Sequence, residues 1–261
     1  MRDMEGKIAL VAAGSKGLGR ASALKMAMRG ANVAICARDE AACAEAASDI
    51  AEQAGVETWY CAADVSTAEG VRKFVHGAAA HFGGVDVLVS NAGGPPRGVF
   101  EDFEDDAWFD AFELNVMSAV RLVRETLPHM RGRGGGRILF ILSSSVREPI
   151  DDLLLSNVMR PAVAGLAKSL SRALGEEDIL VNVVIPGVIN TERARQGRAS
   201  LAKQLGITFA ESVARVEREV PLGRLGEPEE FGAMVAFLAS PEASYISGGV
   251  FAVDGGRLKA I

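Results

Sequence analysis

The chain has 261 residues, of which 49% are apolar and 24% are charged, and its formal net charge is −6. This composition predicts a globular protein with a sizeable core, and it excludes a strongly basic protein that attracts nucleic acid or anionic membranes. No apolar run reaches the length of a membrane span. The first residues, MRDMEGKIAL, lack the apolar region of a signal peptide. We therefore expect a cytoplasmic protein whose partners include no membrane and no nucleic acid.

Short β-branched runs alternate with amphipathic stretches of helical length along the whole chain. Strict alternation predicts a parallel sheet that is covered by helices on both faces. We expect one α/β domain over residues 1–261, doubly wound around about seven strands. Residues 192–220 are predicted to be helical, but their apolar residues are poorly patterned. This favours a mobile lid that covers the substrate. The predicted strands are KIALVAA, NVAICA, ETWYCAA, VDVLVS, GRILFIL, ILVNVVI and GVFAVDGG, and helices are predicted at 18–29, 71–81, 105–130, 153–174 and PEEFGAMVAFLAS.

Glycines at positions 14, 17 and 19 follow the first strand and open the first helix, in the run AAGSKGLGR. Such glycines allow a tight turn and a close approach to a pyrophosphate, whose charge the helix N-terminus stabilises. A turn required for packing alone is the alternative, but the position in the first βα turn favours a dinucleotide. The predicted loop contacts are Gly14, Ser15, Lys16, Gly17, Leu18 and Gly19.

The end of the second strand indicates which dinucleotide is preferred. Arg38 follows the strand directly and Lys16 lies in the glycine loop, and two cations near a 2′-phosphate favour NADP(H). Asp39 would favour NAD if it bound the ribose, yet it could equally cap the next helix. The two cations could also be solvated surface charges. We predict NADP(H).

The cysteines and histidines show no spacing typical of metal ligands, so we expect no metal site. The three cysteines are expected to be small buried residues in a reduced protein. The three histidines lie away from the predicted carboxyl ends of the strands, which favours surface or helix-end positions. These residues are Cys36, Cys43, Cys61, His76, His81 and His129.

Further motifs follow in an order and at a spacing that resemble the short-chain dehydrogenase/reductase family, from about Gly6 to Gly256. The resemblance implies a Rossmann fold, a small-molecule substrate and a homo-oligomer, most often a tetramer and otherwise a dimer. It implies cofactor contacts from most of these motifs and active-site roles for Asn115 and Ser143. The motifs are ADV with Asp64 and Val65, SNAGG with Asn91, Ala92 and Gly93, LNV with Asn115, ILSS with Ser143, and PGVINT with Pro186, Gly187, Ile189 and Thr191.

One stretch, SNVMR, departs from the family pattern. The family has a tyrosine thirteen residues after its serine and a lysine four residues later; here those positions are Ser156 and Arg160. In the family, the lysine binds the nicotinamide ribose and lowers the pKa of the tyrosine, which exchanges a proton with the substrate. A serine hydroxyl is shorter and far less acidic. Arg160 can still bind the ribose and stabilise an oxyanion. Tyr60 and Tyr245 are not expected to reach this position.

Three interpretations stay open. In the first, the protein reduces a carbonyl or an activated C=C or C=N bond of a small hydrophobic molecule, and water or the substrate supplies the proton. In the second, an acid of the loop SSSVREPIDDLLL supplies it. In the third, the protein is an NADP-binding sensor or scaffold without catalysis. The loop candidates are Glu148, Asp151 and Asp152, with the hydroxyls of Ser144 and Ser145 nearby.

Pro161 directly follows Arg160, inside a predicted helix. Proline lacks a backbone N–H and its ring clashes with the preceding turn. We therefore expect the helix either to begin close to Pro161 or to kink there.

Overall fold

In the computed structural model, residues 2–260 are described, and they form a parallel sheet of seven strands in the order β3-β2-β1-β4-β5-β6-β7. The central strands are buried on both faces, as their continuous β-branched sequences predict. The strands are β1 (Ile8–Ala12), β2 (Asn32–Ala37), β3 (Thr58–Ala62), β4 (Val87–Ser90), β5 (Gly136–Ile141), β6 (Ile179–Pro186) and β7 (Val250–Val253).

Helices cover both faces of this sheet and complete two hydrophobic cores. One core joins the sheet to α3, α5 and α6, and the other joins it to α1, α2 and α9. The predicted doubly wound α/β fold in a single domain is therefore confirmed. The helices are α1 (Gly17–Met28), α2 (Glu40–Ala54), α3 (Ala68–Phe82), α4 (Asp105–Phe112), α5 (Ser118–Gly132), α6 (Leu154–Ala173), α7 (Glu192–Leu205), α8 (Phe209–Glu217) and α9 (Pro228–Ala239).

The strand order reverses between β1 and β4, which are neighbours although two strands separate them in sequence. In open α/β sheets, ligands bind in the crevice at the carboxyl ends of the strands, at such a reversal. Asn91, just after β4, spans this crevice, because its Nδ2 donates to the carbonyl of Ala13 after β1 at 3.4 Å. The fold therefore places the glycine loop and the SNAGG segment side by side.

Helix α6 begins at Leu154 and continues through Pro161. Of the two alternatives for Pro161, a helix start close to it is therefore wrong, and a kink there stays a prediction. Its first turn is anchored by Asn157, whose side chain donates to the carbonyl of Ile150 at 2.9 Å and accepts from the N–H of the same residue at 3.1 Å. This reciprocal pair fixes the helix start well upstream. Because proline has no N–H, the carbonyl of Asn157 loses its helical donor.

Residues 192–220 form α7 and α8, which lie beyond the end of β6. These two helices bury only Ala202, Ser212 and Val216. Such shallow burial explains the poor apolar pattern of the segment in the sequence. That it moves as a lid stays a prediction.

All three cysteines are buried and unpaired in the part of the chain that the structure describes. Burial raises the pKa of Cys61 to about 11, and it raises the pKa of Cys36 well above its ordinary value. These thiols are therefore small core residues, as the sequence predicts. Between residues 2 and 260, no cluster of metal-ligating side chains occurs, and no helix is long and apolar enough to cross a bilayer.

Candidate active site

The glycine loop has a geometry that only glycine satisfies at two positions. Gly17 adopts a left-handed conformation with φ of +56°. A Cβ on Gly19 would lie 2.3 Å from the carbonyl oxygen of Ala13, which is far closer than any side chain tolerates. Ala13 itself is left-handed, with φ of +48°. The first turn of α1 is therefore packed directly on the end of β1, and its N–H groups open toward the crevice.

The carboxylate of Asp39 and the guanidinium of Arg38, which both follow β2, have different environments. Asp39 caps α2, because its Oδ1 accepts from the N–H of Ala42 at 3.1 Å. Arg38 is exposed, and its side chain has no ion pair within the described part of the chain. Lys16 is also exposed, with Nζ 3.8 Å from Oε2 of Glu192. Of the two roles considered for Asp39, ribose binding and helix capping, the structure therefore shows the helix cap.

The ADV segment lies at the end of β3. One oxygen of Asp64 accepts from both the N–H of Ser66 at 3.0 Å and its hydroxyl at 2.8 Å. Val65 is buried in the core. Asp64 is therefore held in a fixed turn, and its second carboxylate oxygen has no hydrogen bond among residues 2–260.

The PGVINT segment connects the end of β6 to α7. A Cβ on Gly187 would lie 2.5 Å from the Cα of Asp254, so this glycine lets the segment pass close to the chain after β7. Ile189 forms an isolated parallel bridge with Gly226. Thr191 caps α7 by accepting from the N–H of Ala194 at 3.2 Å. Together with Pro186, these residues bring the start of α7 beside the glycine loop.

Three serines lie at the end of β5 and on the facing turn of α6. The Oγ of Ser143 accepts from the N–H of Ser145 at 3.2 Å. The Oγ of Ser145 lies 3.4 Å from both the Oγ and the carbonyl oxygen of Ser156. Ser145 and Ser156 are buried, whereas Ser143 is partly accessible. The hydroxyl of Ser156 therefore lies against Ser145, at the base of the crevice.

Arg160 lies one turn further along α6 and points toward the end of β4. Its Nη2 donates to the carbonyls of Gly93 at 3.3 Å and Ala92 at 3.4 Å, and its Nη1 donates to the carbonyl of Ile141 at 3.3 Å. Only 7% of the residue is exposed. Its Nε has no hydrogen-bond partner, and no carboxylate pairs with it, among residues 2–260. Arg160 is a buried cation held by long contacts to neutral carbonyls.

This cation is under electrostatic strain. Burial, and to a smaller extent the neighbouring guanidinium of Arg193, lowers the pKa of Arg160 to about 10. The guanidinium stays protonated at neutral pH, because even the lowered pKa is well above 7. A buried charge without an opposite charge costs folding free energy unless a ligand compensates it.

Asn115 lies where the long helix after residue 105 changes its winding. Residues 113–117 form a π-helical turn between α4 and α5, in which the N–H of Ser118 donates to the carbonyl of Glu113. The Nδ2 of Asn115 donates to the carbonyl of Ala111 at 3.0 Å. Its Oδ1 is buried with no hydrogen-bond partner in the described chain. Such turns occur frequently at functional sites, and no sequence pattern predicts this one.

Comparison with known proteins gives a consistent result. Residues 12–257 match a family model described as enoyl-(acyl carrier protein) reductase. The chain is 35% identical over 256 residues to 3-oxoacyl-(acyl-carrier-protein) reductase of Vibrio cholerae, covering 97% of this chain and 98% of the other. It is 32% identical over 256 residues to dehydrogenase/reductase SDR family member 4 of Bos taurus, covering 98% and 88%.

Solved structures agree. L-sorbose reductase of Gluconobacter frateurii, complexed with NADPH and L-sorbose, has a TM-score of 0.95 at 35% identity, covering 99% of this chain and 100% of that one. Actinorhodin polyketide ketoreductase with NADPH has a TM-score of 0.91 at 30% identity, covering 98% of both chains. The chain belongs to the short-chain dehydrogenase/reductase family. The Rossmann fold that the motifs imply is thereby confirmed.

Within this family member, the loop acids are engaged outside the crevice. Glu148 accepts from the backbone N–H groups of Lys259 at 2.8 Å and Ala260 at 2.6 Å, so it holds the C-terminal segment. Asp152 forms a two-point ion pair with Arg97, at 2.7 and 3.0 Å. Asp151 is exposed. None of these contacts directs a carboxyl group toward Ser156, which weakens the interpretation that a loop acid replaces the tyrosine.

The tyrosines and histidines of this family member lie elsewhere. Tyr60 is on β3, an edge strand, and Tyr245 is fully exposed before the start of β7, at the opposite end of the sheet from the crevice. His76 contacts Glu125 at 2.9 Å, and the ring of His129 lies edge-on to that of His76. These positions are on the helical surface, as the sequence predicts. No phenol or imidazole of the described residues thus approaches Ser156.

Proposed function

We propose that the protein is an NADPH-dependent reductase of a carbonyl or activated C=C or C=N bond in a small hydrophobic substrate, and that it works without a tyrosine proton donor. The observation that carries this proposal is Arg160. It is a cation buried at the junction of β4, β5 and α6, and among residues 2–260 it contacts three neutral carbonyls and no carboxylate. A protein without a ligand for this site has no evident need for such a costly buried charge.

The crevice fits NADPH. The close packing of Gly19 on Ala13 leaves the N-terminus of α1 open for a pyrophosphate. Arg38 has no ion pair, and the helix-capping role of Asp39 removes the carboxylate that would favour an unphosphorylated ribose. Two structural neighbours are described in complex with NADPH. We therefore assign Arg38 and Lys16 to the 2′-phosphate, and Asp64, Asn91 and Thr191 to the rest of the cofactor.

When bound, NADPH supplies the hydride that adds to the substrate carbon. The residues of the chain position and polarise the acceptor bond. Ser143 uses its Oγ as an acceptor for the N–H of Ser145, so its hydroxyl hydrogen can be donated to the substrate oxygen. Arg160 supplies a permanent positive charge that stabilises the oxyanion that forms. The buried Oδ1 of Asn115 has no hydrogen-bond partner among the described residues, so it could accept a hydrogen bond from a bound water or a substrate hydroxyl.

The proton in this scheme comes from water. The C=O bond gains one hydride and one proton, NADPH is oxidised to NADP⁺, and the product is an alcohol. Ser156 does not donate the proton itself, because an alkyl hydroxyl is a weak acid and this one is buried against Ser145. Quinones and conjugated enones, whose hydride adducts are stabilised phenolates or enolates, need little help from a protein acid, and iminium ions accept a hydride without any proton.

A non-catalytic NADP-binding sensor or scaffold is the second candidate. The observation that favours it is the environment of Ser156, around which no side chain of the described residues can act as an acid at neutral pH. The cofactor contacts would be the same in both functions. Binding alone therefore does not separate them, and turnover does.

The test is NADPH oxidation by the purified protein against a panel of ketones, quinones, enones and imines, with the products identified by mass spectrometry. We expect turnover of the more activated members, reduced by Arg160→Ala about 100-fold or more, in the range of other lost electrostatic contacts. The matched control is Arg172→Ala, an exposed arginine on the same helix. Tight NADPH binding with no turnover of any member would favour the sensor or scaffold.

A further inference from the structure

One arginine of α7, Arg193, faces the loop that follows β4. The Nη2 of Arg193 lies 3.5 Å from the carbonyl oxygen of Gly94. A Cβ on Gly94 would lie only 3.1 Å from the same nitrogen, so the glycine makes room for the guanidinium. No carboxylate pairs with Arg193 in the described part of the chain. Its charge is therefore available at the rim of the crevice.

Arg198 lies one and a half turns further along α7 and is half-buried. Its guanidinium has no hydrogen bond or ion pair with any residue from 2 to 260. Burial lowers the pKa of Arg198; Glu219 opposes this shift, and the neighbouring charges of Arg257 and Arg97 add to it. Arg198 thus lies near one carboxylate and two other guanidinium groups without bonding to any of them.

The acidic side chains of this rim are already used. Asp152 pairs with Arg97 at 2.7 Å and Glu219 pairs with Arg257 at 2.7 Å, so each carboxylate neutralises one cation. Glu148 contacts the backbone N–H groups of Lys259 and Ala260, and Asp254 contacts those of Gly256 and Leu258. Within residues 2–260, neither Arg193 nor Arg198 forms an ion pair with a carboxylate.

Arg160 extends the same positive region into the interior. It contacts the carbonyl of Gly93, and Arg193 contacts the carbonyl of the next residue, Gly94. The two guanidinium groups therefore hold consecutive peptide groups, one from the buried side and one from the exposed side. Two cations this close repel each other, and an anion between or beside them would relieve the repulsion.

We infer that the substrate is a small hydrophobic carbonyl compound that carries a carboxylate, which Arg193 and Arg198 bind at the outer end of the pocket. A guanidinium offers a planar pair of donors that matches a carboxylate. The reducible bond would then lie further in, near Ser143 and Arg160. This inference rests on the proposed function, because it describes the substrate of the same site.

NADPH is a competing ligand for Arg193. Arg193 follows Thr191, and the intervening Glu192 lies 3.8 Å from Lys16 of the glycine loop. A guanidinium at this position could reach a phosphate of NADPH instead of the substrate. Loss of cofactor affinity and loss of carboxylate affinity must therefore be measured separately.

The experiment measures equilibrium binding to the full chain saturated with NADP⁺, by calorimetry, for two matched pairs of probes: benzoate with benzamide, and 4-acetylbenzoate with 4-acetylbenzamide. We expect each acid to bind at least about tenfold more tightly than its amide. Arg193→Gln and Arg198→Gln should each reduce this preference several-fold while NADP⁺ affinity stays within twofold. The control is Lys203→Gln, which removes a charge from an exposed position on the same helix.

The proposal is overturned if neither acid binds more tightly than its amide, or if Arg193→Gln weakens NADP⁺ rather than the acids. The proposed function is tested apart from this, by turnover of the uncharged 4-acetylbenzamide and of the neutral ketones. An acid preference without any turnover would contradict the reductase alone. Turnover without an acid preference would contradict the carboxylate site alone.

Discussion

Arg160 carries a cost to stability, and we propose that it acts in the binding of the cofactor and the substrate. Its pKa is lower in the folded protein than in the unfolded chain, so the folded state binds this proton less tightly. By linkage, the charged form destabilises the fold at every pH below about 10, and the cost falls as the pH rises through that value. An anionic ligand beside Arg160 would offset this cost.

Arg160→Met should therefore stabilise the ligand-free protein. Methionine fills much of the same volume without a charge, and replacing a buried ion by an apolar residue gains about 1–4 kcal/mol in favourable cases. Urea unfolding of both proteins measures the difference, and NADPH titration of the same samples should show weaker cofactor binding in the variant. Arg172→Met, on the exposed side of α6, should change neither. A clear loss of stability in Arg160→Met would mean that the three carbonyl contacts outweigh desolvation.

Arg38 is expected to set the choice of cofactor. Arg38→Asp should shift the binding preference from NADPH toward NADH by a factor of at least about 100, because a 2′-phosphate would meet a carboxylate instead of a guanidinium. Fluorescence titration with both cofactors measures this ratio. Asp39→Asn is the control; it should leave the ratio unchanged, since Asp39 caps α2. Unaltered NADPH affinity in Arg38→Asp would refute the assignment.

At the scale of single elements, α6 explains why two substitutions would not restore a standard family site. Ser156 is buried and its hydroxyl lies 3.4 Å from that of Ser145, so a tyrosine ring has no open space at this depth. Pro161 removes a helical hydrogen bond one residue after Arg160. Both features lie in the turn of α6 that carries Ser156 and Arg160.

Ser156→Tyr combined with Arg160→Lys should therefore give little gain in the reduction of simple ketones, less than about tenfold over the original protein. Steady-state kinetics with an unactivated ketone measures the gain. Adding Ser145→Gly, which removes the facing hydroxyl, should raise the activity further if space is the obstacle. A large gain from the double variant alone would show that the pocket has kept the shape of a tyrosine site.

How far the sequence predicts this structure also depends on the element. The glycine loop, the alternation of strands and helices and the spacing from Ser143 to Arg160 were sufficient for the fold and for the place of the crevice, because these features depend on local backbone requirements. The contacts of Asp39 and Glu148 were not predictable, since a carboxylate near a helix start or a loop can cap, pair or stay solvated. The adjacent serines at positions 143, 144 and 145 cannot be told apart by sequence. Only the turn after β5 determines that Ser145 faces Ser156.

At the scale of the whole molecule, the exposed apolar side chains favour association. Phe109, Phe112 and Val158 lie on α4 and α6 and are 67%, 42% and 47% exposed, while β7 is an edge strand. Apolar groups gathered on adjoining helices and an open sheet edge typically mark an interface. We propose a homo-oligomer, a tetramer or a dimer, that uses these helices and the C-terminal strand.

Light scattering after size exclusion should give a mass of four or two times 27.4 kDa. Val158→Glu should reduce the size of the assembly, because a buried unpaired carboxylate is costly at an interface. The control is Val99→Glu. Val99 has a similar exposure, 51%, but lies in the segment after β4 instead of on α6. A monomer in the unsubstituted protein would contradict this proposal, although it would leave the crevice as described.

We propose that Arg160 supports hydride transfer in a site without a tyrosine. The most direct measurement is deuterium transfer from NADPH labelled at C4 of the nicotinamide to a panel of activated acceptors, with product mass measured for the original protein and for Arg160→Ala. We predict that one deuterium enters the product and that the rate falls about 100-fold or more in the variant. Deuterium transfer at an equal rate in both proteins, or none in either despite NADPH binding, would contradict the claim.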